Sequence, residues 1–319
     1  MIKVCFVSWH YQNTKVFLDT LIKMTPGLSG VWKNIVAITD PDQADYVIVC
    51  DGANIPIKNP ESRVIFMGNH PTGLASYLNW HDKPALLKLT LDKHLNNGEW
   101  WIEHTYDELM ALQCPVKTKD LVCVCTGHNH LATGAVDPRM YIKRLEFLGE
   151  YCKKYSNLRV YGRPIENYFD RKDIFPYYKG VLGHRQPDGT KGEHLVGKET
   201  VLYDTRYSIE FDVGPTVNYI SERVYDSLLL WCYPFYFGST NVEKFIPKDS
   251  FQYINTSNLG DVDLVNSVVS GNCREDNLKA IEEARYLLLN KYQTFAYTYH
   301  VINNLDKFKA GMDISQIPI

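Results

Sequence analysis

The chain has 319 residues and a formal net charge of −3, enough length for two domains with cores of their own. So mild an acidic balance excludes nucleic acid or an anionic membrane surface as the main partner. No apolar run approaches the ~20 residues of a membrane span, and the eight scattered cysteines read as reduced thiols in a cytoplasmic protein.

The first 70 residues predict a parallel sheet. Residues 2–9 (IKVCFVSW), 34–40 (NIVAITD), 44–52 (ADYVIVCDG) and 62–69 (SRVIFMGN) are near-continuous apolar runs that end in turn or polar residues, the pattern of strands buried on both faces. Between the first two, Val16, Leu18, Leu21 and Ile22 recur at near-helical spacing before a Pro-Gly stop, giving a strand, helix, strand unit. Asp40-Pro41-Asp42 reads as a solvated turn, not as a metal-binding Asp-x-Asp. From Asn79 to Pro115 the periodicity loosens, and a domain boundary is expected near residues 115–120, closing a first Rossmann-like unit over residues 1–117.

KDLVCVCTG (119–127) opens a second unit, over residues 118–290. Cys123 and Cys125 in that run lack a second pair at zinc-site spacing and read as filler in a strand. A helix follows with Tyr141, Leu145, Leu148 and Tyr151 inward, then the strand NLRVYG. The fold class is therefore α/β, two doubly wound domains facing across a cleft, with ligands expected at the carboxyl ends of the strands. His10 and Asp51 stand at such ends.

Further on, Ser221 is placed to cap a helix whose inward stripe is Val224, Leu228 and Trp231. Glu222 in the first turn complements the helix dipole, but Arg223 does not. A guanidinium at an amide-rich helix start is a seat for phosphate. The loop GHNH, from Gly127 to His130, precedes another helix and is a second place where backbone amides could line a diphosphate, or a plain polar loop.

Three linked stretches resemble the nucleotide-binding motif of fucosyltransferase family 10, the α1,3/4-fucosyltransferases. Arg206, Tyr207, Ile209, Phe211 and Asp212 match its first part, NYISER (218–223) matches Tyr-Ile-Thr-Glu-Lys with Ser for Thr and Arg for Lys, and PFYFG (234–238) matches the strand that follows. A weaker likeness runs upstream from Leu121 to Arg163, and the first domain shows almost none. The resemblance implies a GT-B fold and an inverting, metal-independent transfer of L-fucose from GDP-fucose to a glycan or glycoconjugate. In that family the Glu holds the ribose hydroxyls and the Lys contacts the pyrophosphate, roles that fall to Glu222 and Arg223, with Tyr207, Asp212, Tyr219 and Ser221 in the same motif. The family's helix-leading Arg corresponds to Arg144, with Arg139 the neighbour most easily confused with it. The tail, 291–319, belongs to a long amphipathic run from Glu275 to Leu305, and in such folds a terminal helix crosses back to the first domain.

The likeness fails at the general base. The family's Glu corresponds to Asn69, whose carboxamide cannot take a proton, so the expected base is His70, with His10 and Asp51 as rivals. Trp100 and Trp101 read either as an acceptor-stacking platform or as a loop anchor. The alternatives are another donor, such as a UDP-pentose, and a non-catalytic nucleotide- or glycan-binding protein. No resident cofactor or metal is expected.

Overall fold

The structure, a computed structural model, describes residues 1–53, 55–69, 82–96, 98–132, 137–182 and 197–319. His70 and residues 72–81 of the polar loop that follows it lie outside the described residues.

The apolar runs of the first domain form β1 (Ile2–Ser8), β3 (Ile35–Ala37), β4 (Tyr46–Cys50) and β5 (Val64–Met67). Two short strands, β2 (Val31–Trp32) and β6 (Leu87–Leu89), complete a sheet of order β2-β3-β1-β4-β5-β6, parallel except for the β2–β3 pair. Val4, Ile48 and Ile65 on one face and Cys5, Val47 and Phe66 on the other are all fully buried, which is why these strands read as continuous rather than alternating. Helix α1 (Thr14–Leu21) is capped by Asn13, whose Oδ1 accepts from Val16 N at 2.9 Å. Its buried residues are Phe17, Thr20 and Leu21. The stripe is turned from the predicted one because Phe17, stacked on Tyr11 at 4.6 Å, takes the inward position.

The second domain contains β7 (Lys119–Val124), α3 (Met140–Lys154), β8 (Leu158–Tyr161), β9 (Tyr178–Gly180), β10 (Thr205–Phe211), α6 (Glu222–Leu229), β11 (Tyr233–Phe237) and β12 (Gln252–Tyr253). Its sheet is parallel throughout, in the order β12-β11-β10-β7-β8-β9. Three shorter helices, α2 (Tyr106–Ala111), α4 (Ile165–Phe169) and α5 (Glu199–Leu202), lie in the connections. Both domains are Rossmann-like, and the two meet across a cleft, as the sequence led us to expect. In each sheet the strand order reverses at one point: between β1 and β4, and between β7 and β10. Crevices open at the carboxyl ends of such switch points.

The segment between the domains is fastened to the second. Asn96 receives Ile220 N at 2.8 Å on Oδ1 and donates Nδ2 to Ile220 O at 3.0 Å, while its own amide reaches Asn218 O at 3.0 Å. Asn218, in left-handed conformation (φ 54°), returns Nδ2 to Leu91 O at 2.8 Å. At the far end the predicted single run is broken. Helices α7 (Asp261–Val269), α8 (Cys273–Asp276) and α9 (Leu278–Leu287) precede a π turn over Leu288–Tyr292, and α10 (Thr294–Asn303) starts anew. The break is at Gln293, extended and fully buried, whose Oε1 caps α10 by accepting from Phe295 N at 2.7 Å. Helix α10 then lies on the first domain, with Phe295 edge-on to Phe6 at 5.0 Å and Tyr297 Oη donating to Leu95 O at 2.8 Å.

Candidate active site

Two cavities open at the strand ends and meet. The first, about 310 Å³, lies between the domains. Ser8, His10 and Asp51 line it from the β1–β4 switch point, Asn69 from the end of β5, and Tyr219, Ser221 and Glu222 from the second domain. Glu99, Trp101 and Lys23 complete its polar and aromatic wall. The second cavity, about 380 Å³, lies within the second domain at the ends of β7, β8 and β9. Cys125, His128, Arg163, Lys198 and Arg223 line it. Trp101 and Glu222 belong to both, so a ligand spanning the two must pass between them.

The second cavity is cationic, and its charges are built in by the fold. Arg144, in the second turn of α3, is 2% exposed. Its Nη2 donates to Asp212 O at 2.6 Å, across the β7–β10 switch point, and its guanidinium sits 5.2 Å from the Tyr141 ring. Its Nε is buried without a hydrogen-bond partner, and Arg144 forms no salt bridge among the described residues. Burial lowers its pKa and the nearby charge of Arg223 lowers it further, while Cys125, Asp212 and Tyr141 oppose the shift without cancelling it. A buried cation left this way is costly unless an anion joins it.

Arg223 follows the Ser221 cap, whose Oγ accepts the Arg223 amide at 3.3 Å. Its Nη1 lies 3.3 Å from Glu222 Oε1. Burial works against its charge, but Glu222 and Asp212 outweigh this and raise its pKa. Lys198 is held by Asp226 Oδ2 at 2.9 Å and lies over the Trp101 ring at 5.4 Å. Burial likewise opposes its charge, and Asp226 with Glu222 restores it. The effect of so much positive charge is visible on neighbours. His128 is lowered by burial, by His130 and by Arg144. Cys125 is lowered chiefly through its hydrogen bond with Cys123, then Tyr168, with Arg144 and Arg223 adding to the shift. Cys125, which reads in the sequence as strand filler, is buried and also lines the cationic cavity, because β7 ends beside it.

The carboxylates behind this cavity are less exposed. Asp212 is 1% exposed and accepts from Tyr236 Oη at 2.7 Å; burial raises its pKa and Arg223 opposes the rise. Glu210 on β10 accepts from Ser227 Oγ at 2.5 Å, and burial pushes it up to about 8.

The residues singled out in the sequence separate cleanly. Glu222 and Arg223 line the second cavity, while Arg144 is buried close to two of its lining residues, Arg223 and Cys125, and donates to the Asp212 carbonyl. Tyr219 and Ser221 face the first cavity instead. Tyr207 sits near the amino end of β10, fully buried between Tyr233 and Phe235, and its Oη accepts from Arg274 N at 3.2 Å. It therefore packs the core at the strand end away from the cleft. Arg139 is at the N-terminus of α3 but points to solvent, paired with Glu146 at 3.2 Å. The Gly127 amide is already given to Arg163 O at 2.8 Å, so it cannot serve a phosphate; glycine is required there because a Cβ would lie 2.4 Å from the Tyr168 ring. His10, Asp51 and Asn69 share the first cavity, where Asp51 (φ 61°) accepts the Asn69 amide on Oδ1 at 2.5 Å. Of the tryptophan pair, Trp100 is core at 1% exposure and Trp101 is half exposed in the cleft.

Sequence reasoning missed Glu99, Lys23, Arg163 and Lys198. Arg163 was legible, since it closes the strand NLRVYG at a carboxyl end. Lys198 and Glu99 carried no local signal; only tertiary contacts bring them to the cleft. Among the described residues no cluster of three or more His, Cys, Asp or Glu side chains could hold a metal ion, and no helix is long and apolar enough to cross a membrane.

No protein-family model matches the chain, and no curated protein matches it in sequence. Solved structures with a similar fold include an alpha1,3-fucosyltransferase with GDP-fucose, 14% identical over 92% of both chains with a TM-score of 0.43. A glycosyltransferase from Rickettsia africae ESF-5 is 10% identical over 97% of this chain and 98% of its own, with a TM-score of 0.48. T4 phage BGT in complex with its UDP-glucose substrate is 10% identical over 97% and 99%, with a TM-score of 0.41.

Proposed function

We propose that the protein is an inverting glycosyltransferase that moves a sugar from a nucleoside diphosphate, with GDP-fucose the expected donor, to a hydroxyl of a glycan or glycoconjugate. The observation that carries this reading is the buried guanidinium of Arg144, its Nε without a hydrogen-bond partner and the group without a salt bridge among the described residues, set beside Arg223 at the switch point of the second sheet. A diphosphate is the anion that completes such a site: Arg223 offers a planar fork to two oxygens, and Arg144 supplies charge from a dry interior. As the sugar departs, negative charge grows on the leaving diphosphate, and cations already in place stabilise it without reorganisation. Glu222, at the junction of the cavities, is assigned to the ribose hydroxyls. Lys198 and Arg163 extend the cationic wall, and the acceptor occupies the first cavity against Trp101, whose exposed indole suits the apolar face of a sugar ring.

The fucosyl reading rests on the motif NYISER and its flanking stretches, in which Arg replaces Lys. A thermal-shift series with GDP-fucose, GDP and UDP-glucose tests it. Ligand at a hundred times its dissociation constant stabilises by about 2.7 kcal/mol, and GDP-fucose is expected to give the largest rise in Tm. A larger rise with the UDP-sugar would replace the donor, and no rise with any nucleotide would remove the second cavity from the donor's path.

A further inference from the structure

We infer that Glu99, a residue outside every motif read from the sequence, is the general base that accepts the acceptor's proton. The inference rests on the glycosyltransferase reading above and adds the residue that reading lacks.

Glu99 is presented to the first cavity by a segment clamped on both sides. Before it, Gly98 donates its N–H to Tyr292 O at 2.8 Å, and Gly98 O accepts from Thr294 N at 2.9 Å. A Cβ at position 98 would lie 1.9 Å from Tyr225 Oη, so only glycine fits. After it, Trp101 N and Ile102 N both donate to Asp226 Oδ1, at 2.7 and 3.2 Å, and Lys23 Nζ donates to Ile102 O at 2.8 Å. Trp100, buried between them, donates Nε1 to His104 O at 2.8 Å. Such fixing on rigid neighbours is what a base needs to hold a reacting hydroxyl in place.

The other groups in the cavity have prior engagements. Asp51 Oδ1 is occupied by the Asn69 amide, and Glu222 is ion-paired with Arg223 at the donor side. The His10 ring is stacked on Trp9 at 3.9 Å. Glu99 Oε1 accepts a long hydrogen bond, 3.5 Å, from Nε1 of Trp101, one of the two residues shared by both cavities. Burial pushes its carboxyl above the ordinary range; the Trp101 indole and Lys23 pull it back, and the charges of Glu222 and Asp51 add to the rise. In the transfer, the acceptor O–H proton passes to a Glu99 carboxylate oxygen as the acceptor oxygen bonds to the anomeric carbon. The bond from that carbon to the diphosphate oxygen breaks, and its electron pair leaves with the nucleoside diphosphate.

The test uses the full chain and GDP-fucose with water as acceptor, reading GDP release, with GDP affinity measured by calorimetry. Glu99→Gln should lose about 10²- to 10⁴-fold in turnover and keep its GDP affinity. The wild-type rate should fall at acidic pH as Glu99 is protonated, and that acid limb should vanish in Glu99→Gln and survive, at a lower rate, in Glu99→Asp. Azide, a nucleophile with no proton to lose, should restore sugar transfer in Glu99→Gln as the glycosyl azide. Wild-type turnover in Glu99→Gln, an acid limb that persists, or no response to azide overturns the base. Wild-type protein that binds no nucleotide sugar overturns the donor reading beneath it, and wild-type protein that binds the donor without turning it over overturns both transfer and base.

Discussion

Arg144 and Arg223 reach the same place by different routes, and the difference sets what each substitution should do. Arg223 rides on the first turn of a capped helix with its side chain at the cavity wall. Replacing it with Ala should weaken GDP binding by about 1.5 to 3 kcal/mol, the worth of a hydrogen bond to a charged group, and Lys should recover part of that. Isothermal titration on both variants decides it; an Ala variant with wild-type affinity would remove Arg223 from the donor site. Arg139→Ala is the internal control. Its ion pair with Glu146 is exposed, and exposed pairs contribute at most about 1 kcal/mol, so affinity should be unaltered. The same reasoning orders the carboxylates: Asp212 and Glu210 are buried behind the second cavity, whereas Glu222 lines both cavities and Glu99 the first.

At the scale of elements, the loop that carries the NYISER motif has two tasks. Its Arg223 end faces the second cavity, and its Asn218–Ile220 end is the partner to which Asn96 and Leu91 are bonded. Asn96→Ala should leave the Ile220 N–H and C=O buried without their side-chain partner. Each unsatisfied group costs about 1 to 3 kcal/mol, so urea unfolding should show a loss of roughly 2 kcal/mol or more. A loss below about 0.5 kcal/mol, the range of a neutral surface change, would mean that the segment between the domains is not fastened there. Gly98 and Gln293 belong to the same design. The first lets the segment pass Tyr225, and the second stops one helix and starts another so that α10 turns onto the first domain.

For the whole molecule, both switch points open on the two adjoining cavities, and the proposed division of labour puts the donor's charged half in the second domain and the acceptor between domains. If the diphosphate is met by guanidinium and ammonium groups as proposed, turnover should be retained in EDTA. Abolition by chelation with recovery on adding manganese would show that the cations named here do not suffice for the leaving group.

Much of this architecture was legible before any coordinates. A strand buried on both faces must be apolar throughout, so the parallel sheets announced themselves in runs such as YVIVC and VIFM, and the helix start at Ser221 followed from cap chemistry. The neighbourhood of Arg144 and Arg223 was readable for a similar reason, because residues next to strand ends and helix starts are positioned by local structure. Tyr207 and Gly127 show the limit of that reasoning. Both lie in stretches that match a binding motif, yet one packs against Phe235 and the other gives its amide to Arg163. Glu99 and Lys198 mark the opposite limit. Nothing within a few residues of either predicts a functional place; they arrive in the cleft because Asp226, on a helix of the second domain, binds Lys198 and the Trp101 and Ile102 amides at once. Local periodicity and capping depend on near neighbours and so can be read along the chain, while a site assembled from two domains depends on which buried groups must find partners across a sequence gap, and only folding decides that.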